Sequence, residues 1–421
     1  MTHFRLLSWL IAGIALLAPG AHADGLEYGG HIKPRYNAGT FPGDSLIGDL
    51  AGSTANDLTV DTRVVLGYDR GGWDLRADYQ FDVFYGDTIE YTRRLPEETE
   101  IFFNRLPNDR RRLFDLTHVF HDENKTALQH RLDRLSVGYS GEKYVLRFGR
   151  QAVSWGNGMI YTPMDIFNPF DPAAVDTEYK AGDDMLYGQY LRANGDDLQT
   201  VVVFRRDVVS GDFETRESSL AVKYHGRAGN SEYDVLAADH YDDILLAAGG
   251  NTALGGAIWR GDVTLSFADR QTTASAVTSL SYSWTWAGRN VSGIAEYFFN
   301  GFGQHNGRYD PGSLAGNPDL LARIARRELF TLARHYFAVS AMIEITPLFL
   351  LTPNVFINAS DQSALLQIVT KNDLRENLTL LGALNIPVGP DGTEFGGIET
   401  RVPGRFLSTG PSLFLQLAWY F

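Results

Sequence analysis

The last ten residues, SLFLQLAWYF (412–421), carry an apolar side chain at every second position: Leu413, Leu415, Leu417, Trp419 and Phe421. Gln416 and Tyr420 stand on the other face. A period of two belongs to a strand whose faces meet different surroundings. Upstream the alternation recurs, with Val263, Leu265 and Phe267 against Asp262, Thr264 and Ser266, and with Leu220, Val222 and Tyr224 against Ser219, Ala221 and Lys223. It begins at Leu26, Tyr28, Gly30 and Ile32. Beyond residue 23 no run approaches the roughly 18 uncharged apolar residues that a spanning helix needs. Repeated apolar-out, polar-in segments predict an all-β fold, a transmembrane antiparallel β-barrel.

Turn-forming residues mark short connections at Asp69 to Gly72, Ser140 to Lys143, Asn194 to Asp197, His225 to Asn230, Trp259 to Asp262, Ala287 to Asn290, Thr346 to Leu348 and Lys371 to Asn377. Between them lie variable connections centred near residues 46, 107, 168, 211, 245, 271, 317, 361 and 397. Short periplasmic turns alternating with long extracellular loops then require about 18 strands with both ends periplasmic. Around Ala247 to Ala257 the glycines at 249, 250, 255 and 256 blur the alternation, which leaves about 16 strands as the alternative. The loop at 317–330 reads as helical, with Asn317 as N-cap, Pro318 at the first position, and Leu320, Leu321, Ile324, Ala325 and Leu329 opposite Arg323, Arg326 and Arg327.

The amino terminus predicts a cleaved signal peptide over 1–23, followed by a single barrel domain over 24–421. Arg5 precedes an apolar run from Leu6 to Ala18, and Ala21-His22-Ala23 is a small-x-small cleavage site. The early start of the first strand leaves no room for a plug domain. Cysteine is absent, in keeping with an oxidising envelope. The 43 Gly, 20 Tyr and 25 Phe, with a mean hydropathy of −0.18, suit an apolar wall diluted by a polar lumen. A formal net charge of −14 argues against a nucleic-acid partner.

The densest text is 154–182, where Trp155, Gly156, Asn157 and Gly158 break a strand and Pro163, Pro169 and Pro172 prevent regular structure. Its aromatics, Trp155, Tyr161, Phe167 and Phe170, need burial, so the loop is expected to fold into the barrel as a constriction. Asn157, Asp165, Asn168, Asp171, Glu178 and Lys180 would then meet the solute there. Gly149-Arg150-Gln151 followed by Trp155-Gly156-Asn157-Gly158 resembles the alginate-export family and related porin-like families. That resemblance implies a barrel of 18 or so strands passing a solute across the outer membrane. The carboxy-terminal strand likewise resembles the signature read by the barrel-assembly machinery, with Trp419 and Phe421 as its signal.

Parity places Asp61, Arg63, Asp74, Arg76, Asp78, Asp82, Arg147, Arg205, Lys223, Asp234, Asp262, Glu296 and Glu344 on the inner face. Arg63, Arg76, Arg147, Arg205 and Lys223, with Asp78, Glu296 and Glu344, are the candidate pore-lining residues. Opposed charges would orient a polar solute, or simply pair with one another. No histidine has serine two residues later and Asp-x-His is missing, against a barrel lipase or protease. His118 and His121 could share a helical face as metal ligands, with His130 nearby, yet solvated loop histidines are the simpler account. The expected function is non-enzymatic, without cofactor or metal: an outer-membrane channel for passive diffusion or export of a polar solute, anionic or carbohydrate-like. Its partners would be outer-membrane lipid and lipopolysaccharide. The alternatives are a non-conducting barrel for adhesion or envelope assembly, and a barrel hydrolase.

Overall fold

In a computed structural model, which describes residues 25–96, 99, 102–103, 106–268 and 270–421, the chain closes into an antiparallel barrel of 18 strands. The predicted signal peptide lies outside these residues. The strands are β1 (Leu26–Thr40), β2 (Thr54–Arg70), β3 (Trp73–Gly86), β4 (Thr126–Ser140), β5 (Tyr144–Gln151), β6 (Asp183–Leu191), β7 (Asp197–Val203), β8 (Ser219–Ala228) and β9 (Ser231–His240). They continue as β10 (Asp243–Leu254), β11 (Ala257–Phe267), β12 (Thr272–Trp286), β13 (Arg289–Phe299), β14 (His335–Thr346), β15 (Phe349–Asn358), β16 (Ser363–Arg375), β17 (Leu378–Val388) and β18 (Ser412–Tyr420). Each pairs with its sequence neighbours, and β18 closes the ring by pairing with both β17 and β1.

The closing strand behaves as its alternation requires. Leu413, Leu415, Leu417 and Trp419 are exposed on the outer wall, while Gln416 is buried inside against Arg35. Phe421 extends the seam through reciprocal backbone hydrogen bonds with Gly30. A side chain at Gly30 would stand 2.1 Å from the Arg63 carbonyl of β2 and 2.7 Å from the Phe421 ring, so glycine there admits both the neighbouring backbone and the terminal aromatic.

Seven of the eight expected turns fall where turn chemistry puts them; the eighth does not. Trp259–Asp262 lies inside β11, and the chain reverses instead at Gly255 and Gly256. The connection expected near 245 shrinks to Tyr241–Asp242, both at positive φ (56° and 67°), as a two-residue hairpin turn needs. The misreading has a physical cause. On β9 and β10 the inner face is also apolar, with Leu236, Ala238, Leu245 and Ala247 buried, so the period of two is hidden.

Among the described residues, four short helices sit in the long loops: α1 (Leu46–Ala51), α2 (Asp87–Tyr91), α3 (Pro311–Ala315) and α4 (Pro318–Ala325). Asn317 caps α4 as expected, accepting from the Leu320 amide at 3.3 Å. The helix ends at Ala325, and Arg327 turns back at φ 61°. Arg323, expected on the polar face, is instead buried, paired with Asp243 at 2.6 Å and lying 3.6 Å over the Phe302 ring.

Candidate functional site

Residues 152–182 join β5 to β6, and their contacts run around the inner wall. The Trp155 indole donates to Gln199 on β7 (2.7 Å). Asp262 on β11 accepts from the Asn157 amide (2.7 Å), the Asn157 side chain (2.8 Å) and the Gly158 amide (3.1 Å). One step further, Glu296 on β13 accepts from the amides of Met159 (2.8 Å), Ile160 (3.1 Å) and Tyr161 (2.6 Å). The Gln367 side chain on β16 reaches the Ala173 carbonyl (2.9 Å), Gln416 on β18 donates to Asp176 (2.8 Å), and Lys33 on β1 pairs with Asp176 (3.0 Å) and Glu178 (2.7 Å). Five consecutive amides at 157–161 thus converge on two wall carboxylates, a charge-assisted arrangement that fixes both position and direction.

Gly249 explains part of the glycine signal on β10. Any side chain there would stand 1.9 Å from the Asp262 carboxylate and 3.0 Å from Asn157, so the slot in which the latch forms needs glycine.

Apolar packing completes the seat. Trp155, Met164, Ile166 and Phe167 are buried against Met185, Val201, Val203 and Ala221 and against the inner apolar faces of β9 and β10. Tyr161 joins a second cluster with Phe298, Tyr336 and Leu320 of α4, stacking on Phe298 at 4.9 Å between centroids. At roughly 1.5–3 kcal/mol per large buried apolar side chain, these contacts stabilise the loop on the same scale as its charge-assisted hydrogen bonds.

The candidate loop residues are therefore mostly engaged with protein. Asn157 holds Asp262. Asp165 and Lys180 pair with each other at 2.6 Å, with Lys180 also donating to the Val153 carbonyl. Glu178 takes Lys33 and the Tyr420 hydroxyl (2.7 Å). Asn168 bonds Asp183 on β6, and Asp171 accepts from the Ala173 amide (2.9 Å). Glu296, read from sequence as facing solute, has its carboxylate occupied by the loop.

The other inner-face candidates fall into pairs. Arg63 binds Asp133 (2.7 Å) and lies 3.6 Å from Asp78. Arg76 also engages Asp78, Arg147 meets Asp74 (3.1 Å), and Lys223 meets Asp234 (3.1 Å). Glu344 accepts from Asn290 (2.9 Å) near the periplasmic turn. Arg205 departs from its expected place. It lies past the end of β7, buried, donating to Asp183 (2.9 Å) and Ser219 (2.7 Å), with its guanidinium over Tyr241. Arg147→Ala should therefore shift the reversal potential in a salt gradient toward cations by freeing Asp74. Arg205→Ala should leave selectivity unchanged and lower the temperature at which the folded band is lost on gels. A selectivity change from Arg205→Ala would put it back in the ion path.

Sequence reading passed over Arg150. It is buried between Asp109 (2.9 Å) and Asp184 (2.9 Å) and ties the loop after β3 to β5 and β6. The signal was present in Gly149-Arg150-Gln151, but its partners lie 41 and 34 residues away. His118 and His121 do not share a helical face: they lie on an extended segment, Thr117–Glu123, paired with β4, and among the described residues no group of three or more metal-ligating side chains comes together.

Glu394, in the loop before β18, clamps three neighbours. It accepts from Tyr336 (2.5 Å), Asn358 (2.7 Å) and the Leu332 amide (2.9 Å). Burial, opposed by these hydrogen bonds, pushes its carboxyl up to about 7. A raised carboxyl means the folded loop holds a proton that the free loop releases above about 4.5. The clamp is thus firmest below that pH and weakens as pH rises toward 7. A spin label at Asp391→Cys should be less mobile at pH 5 than at pH 8, and Glu394→Gln should remove the difference. Equal mobility at both pH values in the parent would refute the clamp.

No protein-family model matches the sequence, and neither does any curated protein. Solved structures match across nearly the whole chain. A BenF-like porin from Pseudomonas fluorescens Pf-5 aligns with TM-score 0.50 and 8% identity over 95% of this chain and 100% of that one. The fold is that of the outer-membrane porins. Acinetobacter baumannii OccAB4 aligns with TM-score 0.53 and 6% identity, covering 95% of this chain and 99% of its own. Wzi of Escherichia coli, described as a carbohydrate-binding β-barrel involved in group 1 capsule assembly, gives 0.50 and 8% over 92% and 83%. The alginate-export resemblance gains no support from these matches.

Proposed function

We propose that this protein is a passive channel for small polar solutes in the outer membrane, with residues 154–182 setting its bore. The observation that carries the reading is the latch of amides 157–161 on Asp262 and Glu296, which holds a loop across an otherwise wide barrel. An 18-stranded barrel without such an element would have a large aqueous lumen. The inner charges are paired, and pairing in a wet lumen supplies both donors and acceptors to a passing solute. Export and uptake are equally compatible with a passive pore. The porin-like neighbours support a non-enzymatic role, the signal peptide and apolar outer wall support the location, and the terminal strand supports delivery by the barrel-assembly machinery.

The likeness to Wzi and the extent of ion pairing favour a second reading, a non-conducting barrel that binds envelope carbohydrate. Planar-bilayer recording separates the two. Stepwise, ohmic conductance from the purified protein is the expected result, and its absence from folded, inserted protein would sink the channel.

A further inference from the structure

We infer that the channel, on the reading just proposed, selects uncharged polyhydroxylated solutes of monosaccharide size over acids and amines, and that it does so in the cavity between the β1–β4 wall and residues 176–181. This cavity, of about 250 Å³, is bounded by the inner faces of β1 to β4, by Asp176, Tyr179 and Ala181, and by Pro107.

Charge balance is the first argument. Lys33, Arg35, Arg63 and Arg131 line it, and so do Asp61, Asp82, Asp133 and Asp176. Four cations face four anions, interleaved along neighbouring strands. An anion entering meets attraction and repulsion in equal measure, and so does a cation, while either loses part of its hydration. A neutral solute loses no charge hydration at all.

Neutral hydrogen-bonding groups are the second. Thr59 brings a hydroxyl and Gln80 an amide to the same lining, set between the charged side chains. Donors and acceptors side by side match groups that give and receive at once, which is the property of a hydroxyl and not of a carboxylate or an ammonium. The Tyr179 ring stands at the rim of this set, held by Arg63 at 3.9 Å.

The test is flux of labelled glucose, gluconate and glucosamine, alike in size and different in charge, into proteoliposomes carrying the intact protein. Glucose should cross faster than either charged analogue by about tenfold, the ratio given by 1.4 kcal/mol. Asp82→Asn, which leaves the cavity with an excess of positive charge, should raise gluconate flux relative to glucose, and Arg131→Gln should do the same for glucosamine. Gluconate or glucosamine crossing as fast as glucose, in vesicles that conduct salt, overturns the inference and leaves the channel standing. Vesicles that pass neither salt nor sugar overturn the channel and this inference together.

Discussion

Replacing residues 156–180 by a short Gly/Ser linker is expected to raise single-channel conductance several-fold and to sensitise cells to large antibiotics. On the proposed reading the segment removes cross-section from the lumen, since it is fastened on opposite sides: Asp262 and Glu296 on one, Lys33 and Gln416 on the other. The replacement deletes the 157–161 run and empties the seat that Phe167 fills. A gentler form keeps the loop's length. Glu296→Ala together with Asp262→Ala leaves amides 157–161 without their acceptors, so the loop should loosen and conductance should become noisy before it becomes large. Wild-type conductance and sensitivity from a folded linker variant would show that the bore is set elsewhere, with α4 and its loop the next candidate.

Deleting Trp419 to Phe421 should abolish the assembled protein in the outer membrane. The loss comes from the seam, since Trp419 pairs with Ile32 on β1 and with Leu378 on β17, and Phe421 completes the hydrogen-bonding to Gly30. Without them, β1 and β17 face each other across unsatisfied backbone groups in lipid, at several kcal/mol per group. Immunoblots of outer-membrane fractions, with heat-modifiable mobility as the sign of closure, read the outcome. Normal levels of folded truncated protein would refute the role given to this strand. Gly30→Val should weaken the same seam, because its side chain collides with the Arg63 carbonyl of β2 and with the terminal ring.

The barrel was legible in sequence because its strongest signals are local. Alternation needs only one strand, and turn chemistry only two to four residues. Legibility failed where a strand faces apolar matter on both sides, as on β9 and β10, so that the turn at Gly255–Gly256 was displaced into β11. The site was legible in composition but not in role. The aromatics and prolines of 154–182 announce an ordered loop, yet Asn157, Glu178 and Lys180 read as solute contacts until their partners are known. Two of those partners lie far along the chain, 145 residues for Lys33 with Glu178 and 105 for Asn157 with Asp262, while Lys180 finds Asp165 within the loop itself. Arg205 was misplaced by a single assumption, that β7 runs past Val203.

The two sides of the lumen differ in kind. From β6 to β10 the wall carries an apolar patch sealed against Trp155, Met164 and Phe167, with Lys223 and Asp234 paired beside it, while from β1 to β4 it is charged throughout. On the proposed reading, water and solute travel as a crescent along the charged side rather than down the axis. Strand number then ceases to govern throughput. A barrel of the same circumference could be made permissive or nearly closed by changing one loop's apolar seat, which leaves the membrane-facing surface untouched while permeability is altered.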